Sequence, residues 1–361
     1  MNILIDIGHP AHVHNFRNLY HELSGRHQIT VTCKSVPIIT NLLEAHSIPY
    51  LELGAKGSSL ADKVLRQVAF TRQISKIIKD RKIDLAMGLS FSVVYASKIT
   101  KADSLLFDDD DQAPQPLTAR FASPYADLIL SPDVLKYENL KNAIYYPGYH
   151  ELAYLHPKRF KPDQTILSKY GLTERDKYFI LRFSALKAHH DVGAVGFSLE
   201  QKQALIGLLS SYGKVFITME AQLDKQFEQY RMPIEPQDMH SFLHYSQMLV
   251  CDGQTMCTEA AMLGVPSFRC NSFAGRVSVL EEEEKKYGLT YAFLPRNFDW
   301  MLHRIKELLM VENIKGVWGE KRKLLLHDKI DVTEFWAWFL DNYPESKKIM
   351  RDGAFDFNRF K

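Results

Sequence analysis

Short aliphatic and β-branched runs recur along this chain, each separated from the next by a longer amphipathic segment, and that spacing constrains the fold more than any other feature. A strand buried on both faces reads as a continuous apolar run, and parallel neighbours need a crossover of about a dozen residues or more between them. The pattern predicts βαβ units and parallel sheets. In the first half, strands are expected at Asn2–Ile7, Gln28–Cys33, Tyr50–Leu53, Asp84–Gly88, Ser104–Phe107 and Asp127–Leu130, with helices in the gaps. The rhythm breaks at Tyr146-Pro147-Gly148 and stays irregular through the Pro-punctuated stretch His156–Pro162. A second series follows, with strands at Tyr178–Arg182, Lys214–Thr218, Met248–Cys251 and Val265–Arg269, and helices at about Leu199–Ser211, Ala221–Tyr230, Thr255–Leu263 and Arg276–Tyr287.

The expected fold class is therefore α/β, with two Rossmann-like, doubly wound parallel sheets in tandem. Residues 1–150 form the first domain, 151–165 a linker, 166–331 the second domain and 332–361 a helical tail. The tail carries Trp336, Trp338, Phe339, Phe355 and Phe360, too many aromatics for a disordered segment, and is expected to pack back on the body. At 361 residues the chain has room for two domains of about 150 to 200 residues.

Ligands of doubly wound sheets bind beyond the carboxyl ends of the strands, so the loops there are the places to search. The first strand runs into Gly8-His9-Pro10-Ala11-His12-Val13-His14, three histidines in a turn that opens a helix. A helix start lowers the pKa of an imidazole and keeps it able to accept a proton, which suits His12 or His14 as a general base. The same His-x-His pair also fits a metal. Leu89-Ser90 offers a hydroxyl at another helix start, and Asp108–Asp111 places four carboxylates together. Like charges at that spacing raise the pKa of some members. Asp110 is the expected catalytic carboxylate, with His9, Ser90, Asp108 and Asp111 on the acceptor side.

In the second half, Arg182, Ser184 and Lys187 follow a strand, with His189 and His190 close behind, and a pyrophosphate suits such cationic and hydroxyl groups. The stretch VCDGQTMCTEAAMLGVPSF, from Val250 to Phe268, runs a strand into a Gly-containing turn and a small-residue helix. Gly253 permits a close turn, Gln254 and Thr255 stand at the helix start, and the amides of about Thr255 to Cys257, Met256 included, face whatever lies beyond the strand. Glu259 lies one turn further in, where its two oxygens can reach vicinal hydroxyls. Its alternative role is an internal salt bridge.

A formal net charge of +2 gives no global attraction to nucleic acid or an anionic membrane. No G-x-S-x-G elbow and no G-x-x-x-x-G-K-[ST] loop occurs, which argues against a serine hydrolase and a P-loop kinase. The N-terminus shows no signal peptide and no apolar run reaches about 18 residues, so a cytoplasmic location is expected. The cysteines Cys33, Cys251, Cys257 and Cys270 read as buried free thiols. The run Glu281–Glu284 reads as a solvated helix face. Between about Ser59 and Arg81, Lys63, Arg66, Arg72, Lys76 and Lys79 mix with apolar residues; peripheral membrane contact or an ordinary solvated helix are the two readings.

The segment Met239–Phe268, with Asp252-Gly253-Gln254-Thr255 and then Glu259-Ala260-Ala261-Met262-Leu263-Gly264-Val265-Pro266, resembles the nucleotide-sugar-binding segment of the GT-B superfamily. That superfamily includes the lipid II-forming N-acetylglucosaminyltransferase and the non-hydrolysing UDP-N-acetylglucosamine 2-epimerases. More closely, the whole chain is similar to domain of unknown function family 354. The shared features are His9-Pro10-Ala11-His12-Val13-His14, the Asp-rich loop, Tyr146–Leu155 and the Asp-Gly-x-Thr-Met turn. The resemblance implies a GT-B-like fold with both domains facing one cleft. It further implies Glu259 on the ribose, Thr255 and the amides after Gly253 on the diphosphate, and the loop after Leu181 beside the nucleotide. Ala11 stands where many relatives have a second glycine, and the epimerases' Arg-Pro-Glu and Glu-Ala-Gly-Leu-Arg segments are absent.

The expected activity is a metal-independent, cofactor-free glycosyl transfer from a nucleotide-diphosphate sugar, UDP-linked, to a glycan or lipid-linked acceptor in cell-envelope or exopolysaccharide synthesis. An epimerase, a metal-dependent hydrolase built on the histidines, and a non-catalytic nucleotide-sugar sensor are the alternatives.

Overall fold

The computed structural model describes residues 1–361 except 56, 58, 184–195, 220–222 and 354. It divides into two compact units, residues 1–159 with 329–361, and residues 160–328.

In unit 1 the order is β1 (Asn2–Ile7), α1 (Pro10–Leu23), β2 (Gln28–Cys33), α2 (Pro37–Ala45), β3 (Leu51–Glu52), α3 (Leu60–Asp80), β4 (Leu85–Gly88), α4 (Phe91–Lys98), β5 (Asp103–Phe107), α5 (Pro116–Phe121), β6 (Leu128–Pro132), β7 (Ala143–Tyr146) and α6 (Leu152–Leu155). The strands form one seven-stranded sheet in the order β3-β2-β1-β4-β5-β6-β7, every neighbouring pair parallel. Leu4, Ala86, Phe70, Ile74, Ile78 and Val93 bury one face of the sheet under α3 and α4. On α1, Phe16 packs at 4.9 Å from Phe107 of β5.

Unit 2 contains α7 (Thr165–Lys169), β8 (Tyr178–Phe183), α8 (Leu199–Ser210), β9 (Lys214–Met219), α9 (Met239–Tyr245), β10 (Met248–Cys251), α10 (Thr255–Leu263), β11 (Ser267–Cys270), α11 (Ser278–Lys285), β12 (Thr290–Phe293), α12 (Phe298–Leu309) and α13 (Ile314–Asp328). Its five strands, β12-β11-β10-β8-β9, are again all parallel. The tail contributes α14 (Val332–Asp341) and α15 (Glu345–Arg351) to unit 1.

The boundaries differ from the sequence expectation, because the stretch read as a linker is built structure. Tyr149, Leu152, Ala153, Tyr154 and Leu155 are all fully buried, and Asn18 of α1 donates to the Ala153 carbonyl at 2.8 Å. Strands β7 and β12 were not expected because their residues alternate or half-expose and give no continuous apolar run. The segment expected as a helix over Ala221–Tyr230 ends in a 3₁₀ turn at Lys225–Tyr230, its first residues lying outside those described. The Glu281–Glu284 run is not a solvated face. Glu283 is fully buried on α11, and Glu281 and Glu282 are paired with Lys285 and Lys286 at 2.6 and 3.6 Å. Among the described residues no helix is long and apolar enough to cross a membrane.

Trp336 of α14 fixes the tail: fully buried, it lies 4.6 Å from Phe107 and 6.0 Å from Phe16. Trp336→Ala is expected to cost unit 1 about 3–5 kcal/mol, by lost burial and an unfilled cavity, measured as urea unfolding. A cost under about 1 kcal/mol would mean that the tail is an accessory to this core.

Candidate functional site

Strand order in unit 1 reverses between β1 and β4, where crossovers leave in opposite directions and open a crevice at the carboxyl ends. Strand β1 delivers Asp6 there, fully buried. Thr32 Oγ1 of β2 donates to its Oδ1 at 2.9 Å and Ser90 Oγ donates to its Oδ2 at 2.6 Å. Ser90 also caps α4 by accepting the Val93 amide at 3.4 Å. Burial raises the Asp6 pKa, while the Ser90 hydrogen bond, the nearby Lys34 charge and Thr32 oppose that rise. Gly88 permits the close approach of β4, since a Cβ there would sit 2.8 Å from the Asp6 carbonyl oxygen.

Beyond β1, His9 caps α1, its Nδ1 accepting the Ala11 amide at 3.2 Å. The Gly8 amide donates to His12 Nδ1, also at 3.2 Å. Burial, His9 and Lys34 hold the His12 pKa well below its ordinary value of 6.5, against the pull of Asp109. His14 departs from His12. In a helix of 3.6 residues per turn, positions two apart face nearly opposite ways. His14 is buried, with its ring 5.4 Å from Tyr154 and its Nδ1 3.2 Å from Arg17 Nη1. The His-x-His pair is therefore split, as a strand would not have split it, and among the described residues no cluster of three metal-binding side chains forms.

After β5 the four carboxylates separate by environment. Asp109 Oδ2 lies 2.9 Å from Nδ1 of His150, which is 1% exposed and boxed by Phe107 at 6.1 Å and Trp336 at 5.3 Å. Burial pushes Asp109 up, but the His150 charge and hydrogen bond more than offset it and hold the carboxylate below its usual range. Burial and the Asp109 charge push Asp108 up to about 7. Asp110, which accepts from Gln115 Nε2, is raised to about 8 by burial and by Asp109. Asp111 is buried and accepts from Tyr137 Oη. The structure brings His9, His12, Asp108, Asp109, Asp110 and Ser90 to one sheet end. Asp6, Lys34 and His150 join them unforeseen, because nothing in their local sequence marks them out.

In unit 2 the order reverses between β8 and β10. Arg182, the penultimate residue of β8, lies beside Cys251, its carbonyl accepting the Asp252 amide at 3.3 Å, and Asn271 Nδ2 donates to the Asp252 carbonyl at 2.8 Å. Gly253 and Gln254 then turn the chain into α10, with Thr255 exposed at its start. The Cys257 amide is taken, donating to the Gln254 carbonyl at 2.9 Å, so the turn offers the Thr255 and Met256 amides rather than all three expected ones. Glu259 is buried, its Oε1 3.0 Å from Nε2 of the equally buried His240 on α9. Arg269 of β11 is 1% exposed, and its terminal guanidinium nitrogens have no hydrogen-bond partner among the described residues. No signal in the sequence distinguished His240 or Arg269 from ordinary helix and strand residues. Ser184, Lys187, His189 and His190 lie outside the described residues.

Residues 1–279 match the family described as "Protein of unknown function (DUF354)". An uncharacterized protein of Methanocaldococcus jannaschii is 24% identical over 300 residues, 75% of this chain and 82% of that protein. Among solved structures, one of a protein assigned as a UDP-N-acetylglucosamine 2-epimerase from Listeria monocytogenes superposes with a TM-score of 0.71 at 16% identity, covering 96% of this chain and 97% of that one. The glycotransferase of kitacinnamycin superposes with a TM-score of 0.58 at 12% identity, covering 94% and 98%. These likenesses give the fold: two parallel α/β sheets of the GT-B kind.

Unfolding returns Asp108 and Asp110 to the ordinary value of 3.8, so between there and about 7 to 8 the folded chain holds the extra protons. The contribution of these two groups to stability falls as pH rises through that window. Asp110→Asn is expected to flatten the decline, read as urea midpoints at pH 5 and 8; an unchanged slope would remove Asp110 as its source.

Proposed function

The chain belongs to the DUF354 family, and from its GT-B-like fold and the turn at the switch point of unit 2 we propose that it is a GT-B-type enzyme that binds a nucleotide-diphosphate sugar, UDP-linked, and transfers the sugar to a glycan or lipid-linked acceptor in cell-envelope or exopolysaccharide synthesis. The observation that carries this reading is the turn Asp252–Thr255, at the switch point of unit 2, opening a nine-residue helix with Glu259 one turn inside. Helix-start amides and the helix dipole attract phosphate oxygens. Thr255 and Met256 bind the diphosphate through them, with Arg182 at the neighbouring strand end. Arg269, a buried cation with unpartnered guanidinium nitrogens, adds positive potential beneath the turn as the diphosphate departs. Glu259, oriented by His240, accepts the ribose hydroxyls. Asp108 and Asp110 of unit 1 orient the acceptor. Any peripheral membrane contact uses α3, where Val64 and Leu65 are 60% and 70% exposed.

Epimerase chemistry is a second reading, favoured by the higher structural similarity to the Listeria protein, 0.71 against 0.58 for the glycotransferase. It uses the same donor site and needs no acceptor.

Calorimetric titration with UDP and with UDP-, GDP-, CDP- and TDP-sugars tests the donor site. Glu259→Ala is expected to weaken UDP binding about tenfold to a hundredfold, from the roughly 1.5–3 kcal/mol of a charged hydrogen bond, while His12→Ala and EDTA leave it unchanged. Failure of every nucleotide to bind would end the reading. Turnover of UDP-N-acetylglucosamine to another sugar nucleotide without acceptor would replace transfer by epimerisation.

A further inference from the structure

We infer that His12 acts as a fixed hydrogen-bond donor rather than as a base, and that the acceptor proton is taken by Asp109, which buried His150 positions. The first part follows from one hydrogen bond. A backbone amide can only donate, so the Gly8 N–H occupies the Nδ1 lone pair of His12 at 3.2 Å. A neutral imidazole has one N–H and one lone pair. With Nδ1 accepting, the ring proton resides on Nε2, which then has no lone pair for a substrate hydroxyl. Nε2 makes no hydrogen bond to any described residue, so its N–H is left to donate to a substrate oxygen. Lys34 and His9 act against a second proton on the ring, while Asp109 alone among its charged neighbours favours one; His150 opposes it too.

A proton acceptor must be ionised when substrate arrives. Among the carboxylates beside His12, Asp109 is the one with an imidazole set against it, His150 Nδ1 at 2.9 Å, while burial and the Asp109 charge raise Asp108 and Asp110. His150 is enclosed by Phe107 and by Trp336 of the tail, so it cannot reach substrate and acts through Asp109. In the transfer step, the acceptor O–H gives its proton to Asp109 as its oxygen bonds to the anomeric carbon. The bond from that carbon to the diphosphate breaks with its electron pair leaving on the diphosphate, and His12 Nε2–H donates to an oxygen of the acceptor.

The assignment of base and donor rests on the transferase reading, but the tautomer does not, and the experiment separates them. Long-range proton–nitrogen spectra of protein carrying ¹⁵N-labelled histidine, with His12 assigned by its loss in His12→Gln, are expected to show a neutral ring protonated on Nε2 throughout pH 5 to 8. An Nδ1-protonated ring, or protonation near the ordinary value, overturns the inference whatever the substrate. Release of UDP from UDP-N-acetylglucosamine, with water as surrogate acceptor, then tests the roles. His12→Gln keeps a donor and is expected within about tenfold of wild type, while His12→Ala falls further. Asp109→Asn is expected to lose about 10²–10⁴-fold. His150→Asn is expected to move the acid limb of the pH profile upward, because Asp109, with Asp108 and Asp110 beside it, loses the imidazole that favours its carboxylate form. Equal losses in His12→Gln and His12→Ala, or an unmoved acid limb, refute the roles. If UDP fails to bind the wild type, the transferase reading falls and the tautomer result stands.

Discussion

The polar end of unit 1 hangs on the buried carboxylate of Asp6. A parallel sheet leaves its strand-end amides and carbonyls without ladder partners, and a charged group buried there is costly unless its oxygens are occupied. Thr32 from β2 and Ser90 from the start of α4 both donate to Asp6, so one side chain ties together the adjoining strand ends at the switch point. Ser90 can reach it only because Gly88 lets β4 lie against β1 without a side chain between them. The position of the β1 turn, and with it His12, inherits its rigidity from that arrangement.

Unit 2 solves the same problem with different chemistry. Its switch-point turn is held in part by backbone and amide groups, the Arg182 carbonyl and the Asn271 side chain. Cys251 and Cys257 bracket the turn with their sulfurs 3.2 Å apart, and both are reduced and buried. The Cys257 thiol is lowered, first by the hydrogen bond from Cys251 and further by Arg269, while Cys251 is raised. Small side chains here keep α10 close to the sheet, and the buried cation beneath it gives the turn a positive potential that a hydrophobic residue at Arg269 would not supply.

Periodicity made the interior strands legible: β1, β2, β10 and α10 were expected at the residues where they occur, because burial on both faces writes a continuous apolar run. Edge strands β7 and β12 carry no such signature. The same logic explains which polar residues were visible. His9, His12 and the Asp run follow directly on predicted strands, whereas His150 and His240 matter only through Asp109 and Glu259, partners far away in sequence and adjacent only after folding. The Glu281–Glu284 run misled for the complementary reason. Composition reports charge, but the rotation of α11 decides that Glu283 turns inward while its neighbours pair with lysines.

His12 shows how little separates opposite chemical roles. Had the turn placed the Gly8 carbonyl, rather than its amide, against Nδ1, the ring proton would lie on Nδ1 and Nε2 would be a base. A single peptide orientation therefore selects between donor and acceptor, and neither the residue type nor its spacing from the strand encodes it. Pro10 bears on the outcome: it has no amide to compete for the ring and its fixed φ suits the first turn of α1. The Gly8-x-Pro10 turn thus does more than start a helix, since it fixes which nitrogen of His12 remains available to a substrate.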